Sequence, residues 1–292
     1  MVLEHPGVEG AVRDAELPDV SRYIHGYSEP EQERLSRMQR LVNEAELQAL
    51  DLAGVRLILD VGAGLGQMSR VLARAAGPDA RVVGVEREPR QIREAQRLAD
   101  AAGESHLVEL REGSCESLPL APAEWGSFDL AHARFLLEHV GDPLVVVKQM
   151  VAAVRPGGRI VLLDDDHDLL RIWPPLPALE HAWEVYWRSY AQQGTDPLVG
   201  RRFAALLHQA GAPAVRITSV FYGACAGTPL FGPVVDNLGG VMAGAADGLD
   251  EARLLPRDVM DAALRALDAW RLDPAATVWY SLPFAEGRKP VG

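Results

Sequence analysis

Lysine, cysteine and long apolar stretches are scarce in this sequence. Lys148 and Lys289 are the only lysines, and 41 acidic residues outnumber 29 Lys and Arg, which leaves a formal net charge of −12. Such a chain lacks the basic surface that a phosphate backbone requires, so we expect no nucleic-acid partner. The two cysteines, Cys115 and Cys225, are too few for a disulfide framework and lack the spacing of a metal site.

The short apolar runs argue against a membrane protein. No run approaches the roughly 20 apolar residues that cross a bilayer, so we expect no membrane partner. The first residues are acidic and lack the apolar core of a signal peptide, and we therefore expect a cytoplasmic protein. The length of 292 residues suits one α/β domain with appended helices, or two small domains.

A glycine-rich turn is the most informative stretch of the chain. The apolar residues 57–61 predict a strand, and a helix is predicted to begin near Gln67. Between them, Gly62, Gly64 and Gly66 allow unusual backbone angles and the close approach of a ligand to the main chain. The helix N-terminus behind the turn offers unpaired N–H groups, which suit a polar or anionic ligand.

The residues around this turn indicate which ligand it binds. The dinucleotide fingerprint G-x-G-x-x-G has glycine where Gln67 stands here, and Asp60 at the strand end would repel a pyrophosphate but attract an ammonium group. A second predicted strand, 81–85, ends in Glu86, whose carboxylate can accept hydrogen bonds from both hydroxyls of a ribose. The expected ligand is a nucleoside with a cationic amino-acid tail, which describes S-adenosylmethionine (SAM).

From about Tyr23 to Ser219 the chain resembles the class I SAM-dependent methyltransferases of the ubiquinone-biosynthesis-like, small-molecule group. The resemblance implies an α/β fold with a Rossmann-like, doubly wound, seven-stranded sheet of strand order 3-2-1-4-5-7-6, the last strand antiparallel. It also implies SAM as cofactor and S-adenosylhomocysteine as product. The segments we expect are a mobile terminus (1–18) and one domain (19–292), made of a helical cap (19–50), a Rossmann-like core (51–225), a helical lid inserted between strands six and seven (226–273) and the final strand (274–292).

The resemblance also assigns residues to the cofactor pocket. A tyrosine-bearing segment and a helix of the form E-x-x-R-L-x-x-x-Q fold over this pocket in the family. Where relatives show G-D-A-x-x-L-P with an aspartate for the adenine amino group, this chain has Ser114, a weaker acceptor. The expected cofactor-binding residues are Tyr27, Gln39, Asp60, Gly62, Ala63, Gly64, Gly66, Gln67, Glu86, Arg87, Gly113, Ser114, Cys115, Glu116, Ala133 and Arg134.

An acidic run, 164–168, follows the fifth predicted strand and has three interpretations. Asp165, Asp166 or His167 can bind the acceptor or act as a general base. The run can instead clamp a divalent metal, as in catechol methyltransferases, or form a solvated loop. We take Tyr23, Asp165 and His167 as the catalytic candidates and expect no metal. We interpret His132, and His139 at the end of an R-x-x-L-E-H run (134–139), as structural.

An aromatic helix face and a long insertion point to the acceptor. Trp183, Tyr186, Trp187 and Tyr190 share one face of a predicted helix, which forms either the wall of an acceptor pocket or ordinary core. About fifty residues separate the predicted strand six (214–221) from the predicted strand seven (276–281). The first half of this insertion is glycine-rich (238–248), and its second half is predicted to be helical (256–270). We interpret the insertion as a lid, with a dimer contact as the alternative. The protein is accordingly expected to be a monomer or a homodimer.

These features predict the transfer of a methyl group, by SN2 displacement, to an O, N or C nucleophile of an apolar, aromatic small molecule. Polyketides, indole or diketopiperazine alkaloids and quinone precursors are acceptors of this kind. Two alternatives remain open at this point. One is a SAM-binding regulator or pericyclase-like enzyme that does not methylate, and the other is an NAD-type oxidoreductase.

Overall fold

The computed structural model describes residues 42–291 and contains an α/β fold built on a seven-stranded sheet. The strands are β1 (Leu57–Val61), β2 (Arg81–Glu86), β3 (Val108–Glu112), β4 (Phe128–Arg134), β5 (Val154–Leu163), β6 (Arg171–Trp173), β7 (Ala214–Phe221), β8 (Ala224–Cys225), β9 (Thr277–Trp279) and β10 (Ser281–Arg288). The helices are α1 (42–49), α2 (Gln67–Ala76), α3 (Pro89–Ala101), α4 (Pro143–Ala153), α5 (Pro177–Ser189), α6 (Phe203–Gln209), α7 (Phe231–Glu251) and α8 (Arg257–Trp270).

The order of strands in the large sheet is β3-β2-β1-β4-β5-β10-β7. Strand β10 runs antiparallel to both of its neighbours, β5 and β7. Because β7 and β10 are the sixth and seventh strands of this sheet along the chain, the predicted order 3-2-1-4-5-7-6 is confirmed. The crossover helices begin at local signals, as at Pro143, where the Asp142 carboxylate accepts a hydrogen bond from the Leu144 N–H at 3.0 Å.

The final strand lies later in the chain than the sequence indicated. Residues 276–281 were the expected strand seven, but Thr277–Trp279 pairs with β6 and β8 in a separate three-stranded sheet. The seventh strand of the large sheet is Ser281–Arg288, although residues 284–290 were expected to form a polar terminus. These residues fit a strand because Glu286 pairs with Arg159 at 3.4 Å and the Pro283 carbonyl accepts a bond from the Asp164 N–H.

The insertion between β8 and β9 consists of two helices, α7 and α8. Its first half was predicted only as glycine-rich, yet residues 231–251 form one 21-residue helix. Glycine weakens an isolated helix, but here it also permits close packing. A Cβ atom at Gly239 would lie 3.5 Å from the Leu267 side chain of α8. Packing against its neighbour therefore outweighs the low intrinsic helix propensity of α7.

Two buried apolar clusters cover the two faces of the sheet. One joins β1, β4 and β5 to α5, α7 and α8, and the other packs against α4 and α6. The carboxyl ends of β1, β2, β4 and β5 meet at one edge, where ligands of doubly wound folds bind. None of the helices within 42–291 is long and apolar enough to cross a membrane.

Candidate cofactor and acceptor site

A cavity lies at this edge of the sheet, between the strand ends and the helices α5 and α7. Most of the site residues that the sequence predicted within the described range are on its wall. They are Asp60, Gly62, Ala63, Gly64, Glu86, Arg87, Gly113, Cys115, Arg134, Asp165, His167, Trp183, Tyr186 and Tyr190. Residues up to 130 positions apart in the chain, from Asp60 to Tyr190, therefore meet in one cavity, as expected at the carboxyl edge of a parallel sheet.

The glycine turn and Glu86 form one hydrogen-bonded unit on this wall. Gly62 and Gly64 have φ angles of +76° and +53°, which L side chains rarely adopt. The Gly64 N–H donates to Oε2 of Glu86 at 3.0 Å, and the N–H groups of Arg87 and Glu88 donate to its Oε1, both at 2.9 Å. Three backbone donors thus hold this carboxylate at the cavity in one orientation.

Asp60 lies in a buried network of charges that reaches α1. His132 is fully buried, with its Nδ1 2.8 Å from Oδ1 of Asp60 and its Nε2 2.7 Å from Oε1 of Glu46. The other Glu46 oxygen accepts from Arg134 at 2.7 Å, and the Ser69 hydroxyl donates to Asp60. Burial by itself lowers the pKa of His132, but the charge of Glu46 and the bonds to Asp60 and Glu46 raise it to about 9.

A second buried cluster faces the cavity beside the aromatic helix α5. Glu138 Oε2 lies 2.9 Å from Nε2 of His167, and the Tyr280 hydroxyl donates to Oδ1 of Asp165 at 2.5 Å. The same hydroxyl lies 3.4 Å from Nδ1 of His167. Neighbouring Asp164 faces away, with its oxygens accepting from the N–H groups of residues 136, 137 and 165.

The protonation of this cluster follows from burial and from repulsion between its carboxyl groups. Burial lowers the pKa of His167, so its imidazole is neutral near pH 7. Burial, together with the charges of Asp165 and Asp164, raises the pKa of Glu138 well above its usual value. Burial also raises the pKa of the Tyr280 hydroxyl, which remains a donor. The cluster can therefore store a proton at Glu138 while it presents a neutral imidazole.

Three aromatic side chains of the helix α5 region surround His167. Its ring centroid lies 5.2 Å from Trp183, 5.6 Å from Tyr186 and 5.4 Å from Tyr190. The Trp183 Nε1–H donates to the His167 carbonyl at 2.8 Å, and the hydroxyls of Tyr186 and Tyr190 are 2.8 Å apart. These three side chains thus give the wall an aromatic surface while their own polar atoms are hydrogen-bonded, a combination that is common in small-molecule sites.

Comparison with known proteins identifies the family. The family model of the methyltransferase domain matches residues 59–162. A 37.1 kDa protein of transposon TN4556 from Streptomyces fradiae is 31% identical over 256 residues, 85% of this chain and 69% of that protein. A ubiquinone biosynthesis O-methyltransferase from Xanthomonas euvesicatoria is 30% identical over 177 residues, 59% of this chain and 69% of the enzyme. The chain belongs to the SAM-dependent methyltransferases.

Membership in this family makes SAM the cofactor, and the residues present fit it. The turn at Gly62 and Gly64 leaves the main chain open to the cavity, and Glu86 presents a fixed carboxylate. The crystal structure of the cyclase SpnF superposes with a TM-score of 0.51 at 22% identity, over 87% of this chain and 81% of that chain, a likeness of fold alone. Other curated relatives are matched over 44% to 57% of their length.

Several expected methyltransferase site residues are not on the cavity wall. Tyr23, Tyr27 and Gln39 lie outside the described residues. The Ser114 hydroxyl accepts a bond from the Glu116 N–H at 3.1 Å and so caps a local turn. Trp187, at the edge of the aromatic face, lies under the guanidinium of Arg188. Six residues that the sequence predicted for the site do not line the cavity: Gly66, Gln67, Ser114, Glu116, Ala133 and Trp187.

The sequence did not single out two further residues that line this cavity, Glu138 and Tyr280. Glu138 lies in the 3-10 helix Leu137–His139, within the R-x-x-L-E-H run in which Arg134 and His139, but not Glu138, were assigned a role. Tyr280 stands between β9 and β10, in a segment predicted as plain strand. Their roles depend on contacts across 29 and 115 positions of the chain, which local patterns do not reveal.

Proposed function

We propose that this chain transfers the methyl group of SAM to an O, N or C nucleophile of an apolar, aromatic small molecule. One observation supports this most strongly: Gly64 and Glu86 line the same cavity as Asp165, His167 and the aromatic residues of α5. A cofactor pocket and a proton-accepting cluster thus share one space. Natural products with flat ring systems and quinone precursors have the chemistry that this wall suits.

In this proposal one group of residues binds the cofactor and the acceptor, and a second group removes the proton of the acceptor. When bound, SAM supplies an electrophilic methyl group that needs no activation by the protein. Glu86 accepts hydrogen bonds from the ribose hydroxyls, and Gly62 and Gly64 allow the main chain to approach the amino-acid tail. Trp183 and its aromatic neighbours exclude water and orient the acceptor ring, which is where most of the rate enhancement arises.

In this proposal His167 accepts the proton that the acceptor loses. The neutral His167 imidazole lies between Glu138 and Tyr280, so it can take a proton and become an imidazolium stabilised by the carboxylate of Asp165. Asp165 holds the Tyr280 hydroxyl and contributes negative charge beside the imidazole. A base is needed only where the nucleophile carries a proton, as in phenols, indoles and protonated amines.

The proposed function is tested by calorimetric titration with S-adenosylhomocysteine, with NADH as the control ligand. We expect binding of the former alone, weakened by roughly 1–3 kcal/mol in Glu86→Ala because hydrogen bonds to a charged group are lost. Glu112→Ala is the matched control, since this exposed glutamate ends the adjacent strand β3. Its affinity should equal that of the wild type.

Incubation with SAM and a panel of aromatic acceptors then tests catalysis. A product heavier by one CH₂ group supports methyl transfer. Equal affinity of wild type and Glu86→Ala would contradict the cofactor assignment. Tight binding of SAM without its consumption by any acceptor would instead favour a protein that uses SAM without methylating.

A further inference from the structure

The buried cluster of Glu138, Asp165 and His167 has the geometry of a metal site. Each residue offers one ligand atom, and these atoms all lie within 4.8 Å of one another. The side chains are buried, with only 3%, 9% and 4% of each residue exposed. They come from two segments, the 3-10 helix after β4 and the loop after β5, and all three line the cavity.

Groups that are not ligands orient each of the three side chains. The Tyr280 hydroxyl bonds to Asp165 at 2.5 Å and lies 3.4 Å from the second ring nitrogen of His167. The other oxygen of Glu138, Oε1, lies 3.3 Å from Nε2 of His139. Metal-binding histidines and carboxylates are typically held by such outer partners, which fix their orientation. Tyr280 and His139, which are not among the three candidate ligands, therefore add evidence for the site beyond the ligand distances.

The charge of the cluster also calls for a cation. Among residues 42–291, no arginine or lysine forms an ion pair with Glu138 or Asp165. The ionisable partners of Glu138 are His139 and His167, and the Asp165 side chain accepts from the Tyr280 hydroxyl. The adjacent Asp166 is different, because Arg201 binds both of its oxygens at 2.6 and 2.7 Å. Two facing carboxyl groups in a buried site require a proton or a metal ion between them.

We propose that Glu138, Asp165 and His167 bind a divalent cation at the cavity wall. One imidazole and two carboxylates form a mixed nitrogen and oxygen donor set, which suits Mn²⁺, Fe²⁺ or Zn²⁺ better than Ca²⁺ or Mg²⁺. This reverses the expectation of no metal, because that expectation did not include Glu138. Because all three residues line the cavity, a cation held by them would be within reach of an acceptor oxygen there.

The site has a consequence for the acceptor. A cation lowers the pKa of a hydroxyl that coordinates it, so the loaded site would favour methylation of oxygen. With the cation bound, His167 would act as a ligand and not as the base, and a separate base would be unnecessary. This consequence rests on the proposed methyl transfer, whereas the cation site itself does not.

Titration with Mn²⁺, followed by the loss of the electron paramagnetic resonance signal of the free ion, tests the site without SAM or acceptor. At about pH 8, where protons compete less for the ligands, we expect one Mn²⁺ per chain. Glu138→Gln and Asp165→Asn should each weaken its binding by roughly tenfold or more. Asp168→Asn is the matched control, because this aspartate belongs to the same acidic run but pairs with Arg201 at the surface.

Two further measurements distinguish loss of the cation site from loss of folding. Circular dichroism checks that the variants fold, and a rise in melting temperature with Mn²⁺ should appear in wild type and Asp168→Asn but be absent in Glu138→Gln. An absence of Mn²⁺ binding, or equal binding in Glu138→Gln and wild type, would show that the carboxyl groups share only a proton and would overturn the proposal. The S-adenosylhomocysteine titration is independent of these results, so a failure of one proposal does not imply a failure of the other.

Discussion

At the scale of single residues, His132 explains how Asp60 is tolerated in the interior. The sequence suggested that Asp60 attracts the ammonium group of the cofactor, but its two oxygens already contact His132 and Ser69. An imidazolium between two buried carboxylates neutralises part of their charge. It also ties α1, through Glu46, to the strand that carries the glycine turn.

Substitution of His132 should therefore destabilise the protein. His132→Gln leaves Asp60 and Glu46 without a cation between them, and we expect a loss of roughly 3–5 kcal/mol in the free energy of unfolding at pH 6. Urea unfolding measures this value. The exposed His208 provides the control, since His208→Gln should leave stability unchanged.

The pH dependence of this effect has a definite sign. Because the folded pKa of His132, about 9, lies above its ordinary 6.5, its stabilisation is complete below pH 6.5 and is lost as the pH rises through 9. The difference between wild type and His132→Gln should therefore shrink by about 3 kcal/mol across this range. A difference that is constant from pH 6 to 10 would show that His132 is neutral in the folded protein.

At the scale of elements, the sequence predicted those whose signals are local. The strand at 57–61, the glycine turn and the helix beginning at Gln67 were all found as expected, because each depends on residues adjacent in the chain. Strand β10 was misplaced because Pro283 and Glu286 suit a strand only when β5 and β7 pair with it. Local propensity is silent about such pairing.

The glycine turn supports a prediction about Gly62. Its φ of +76° makes alanine strained there, and the new Cβ would lie 2.9 Å from Cδ1 of Leu136. Leu136 lines the cavity, so its displacement disturbs the ligand site. We expect Gly62→Ala to cost about 1–2 kcal/mol in unfolding free energy and to weaken binding of S-adenosylhomocysteine.

Gly54→Ala separates these two effects. Gly54 has a similar φ of +72°, but a Cβ atom there meets nothing within 4 Å. It should lower stability about as much as Gly62→Ala while ligand affinity stays at the wild-type value. If both variants bound the ligand equally well, Leu136 would not transmit the clash to the site. Calorimetric titration and urea unfolding on the same samples make the comparison.

At the scale of the whole molecule, the candidate site is assembled from segments that are far apart in the chain. The glycine turn and the acidic run were predictable because both follow apolar strands, and parallel strands bring their carboxyl ends together. Sequence alone did not indicate the contacts of Glu138, His132 and Tyr280, because their hydrogen-bond partners lie on other elements. The cofactor half of the site is thus visible in local motifs, whereas the acceptor half depends on tertiary packing.

The same long-range packing should make the inserted helices α7 and α8 unfold together with the sheet. One buried cluster runs without interruption from Ile58 and Val161 of the sheet to Met260 of α8. Met260 is fully buried, so Met260→Ala should cost roughly 2–5 kcal/mol in the free energy of unfolding. The adjacent Val259 is 37% exposed, and Val259→Ala should cost less than about 0.5 kcal/mol.

The measurement follows urea unfolding of Met260→Ala by circular dichroism and by retention of S-adenosylhomocysteine. Circular dichroism reports the helices, while ligand retention reports the glycine turn at the end of β1. If the insertion and the sheet are one cooperative unit, both signals are lost in a single transition, shifted to lower urea by the substitution. Loss of helical signal before loss of the ligand would instead show that α7 and α8 open as a separate unit over an intact cofactor site. A single transition in both signals would mean that substitutions in the buried part of the insertion, such as Met260→Ala, weaken cofactor binding only by lowering global stability.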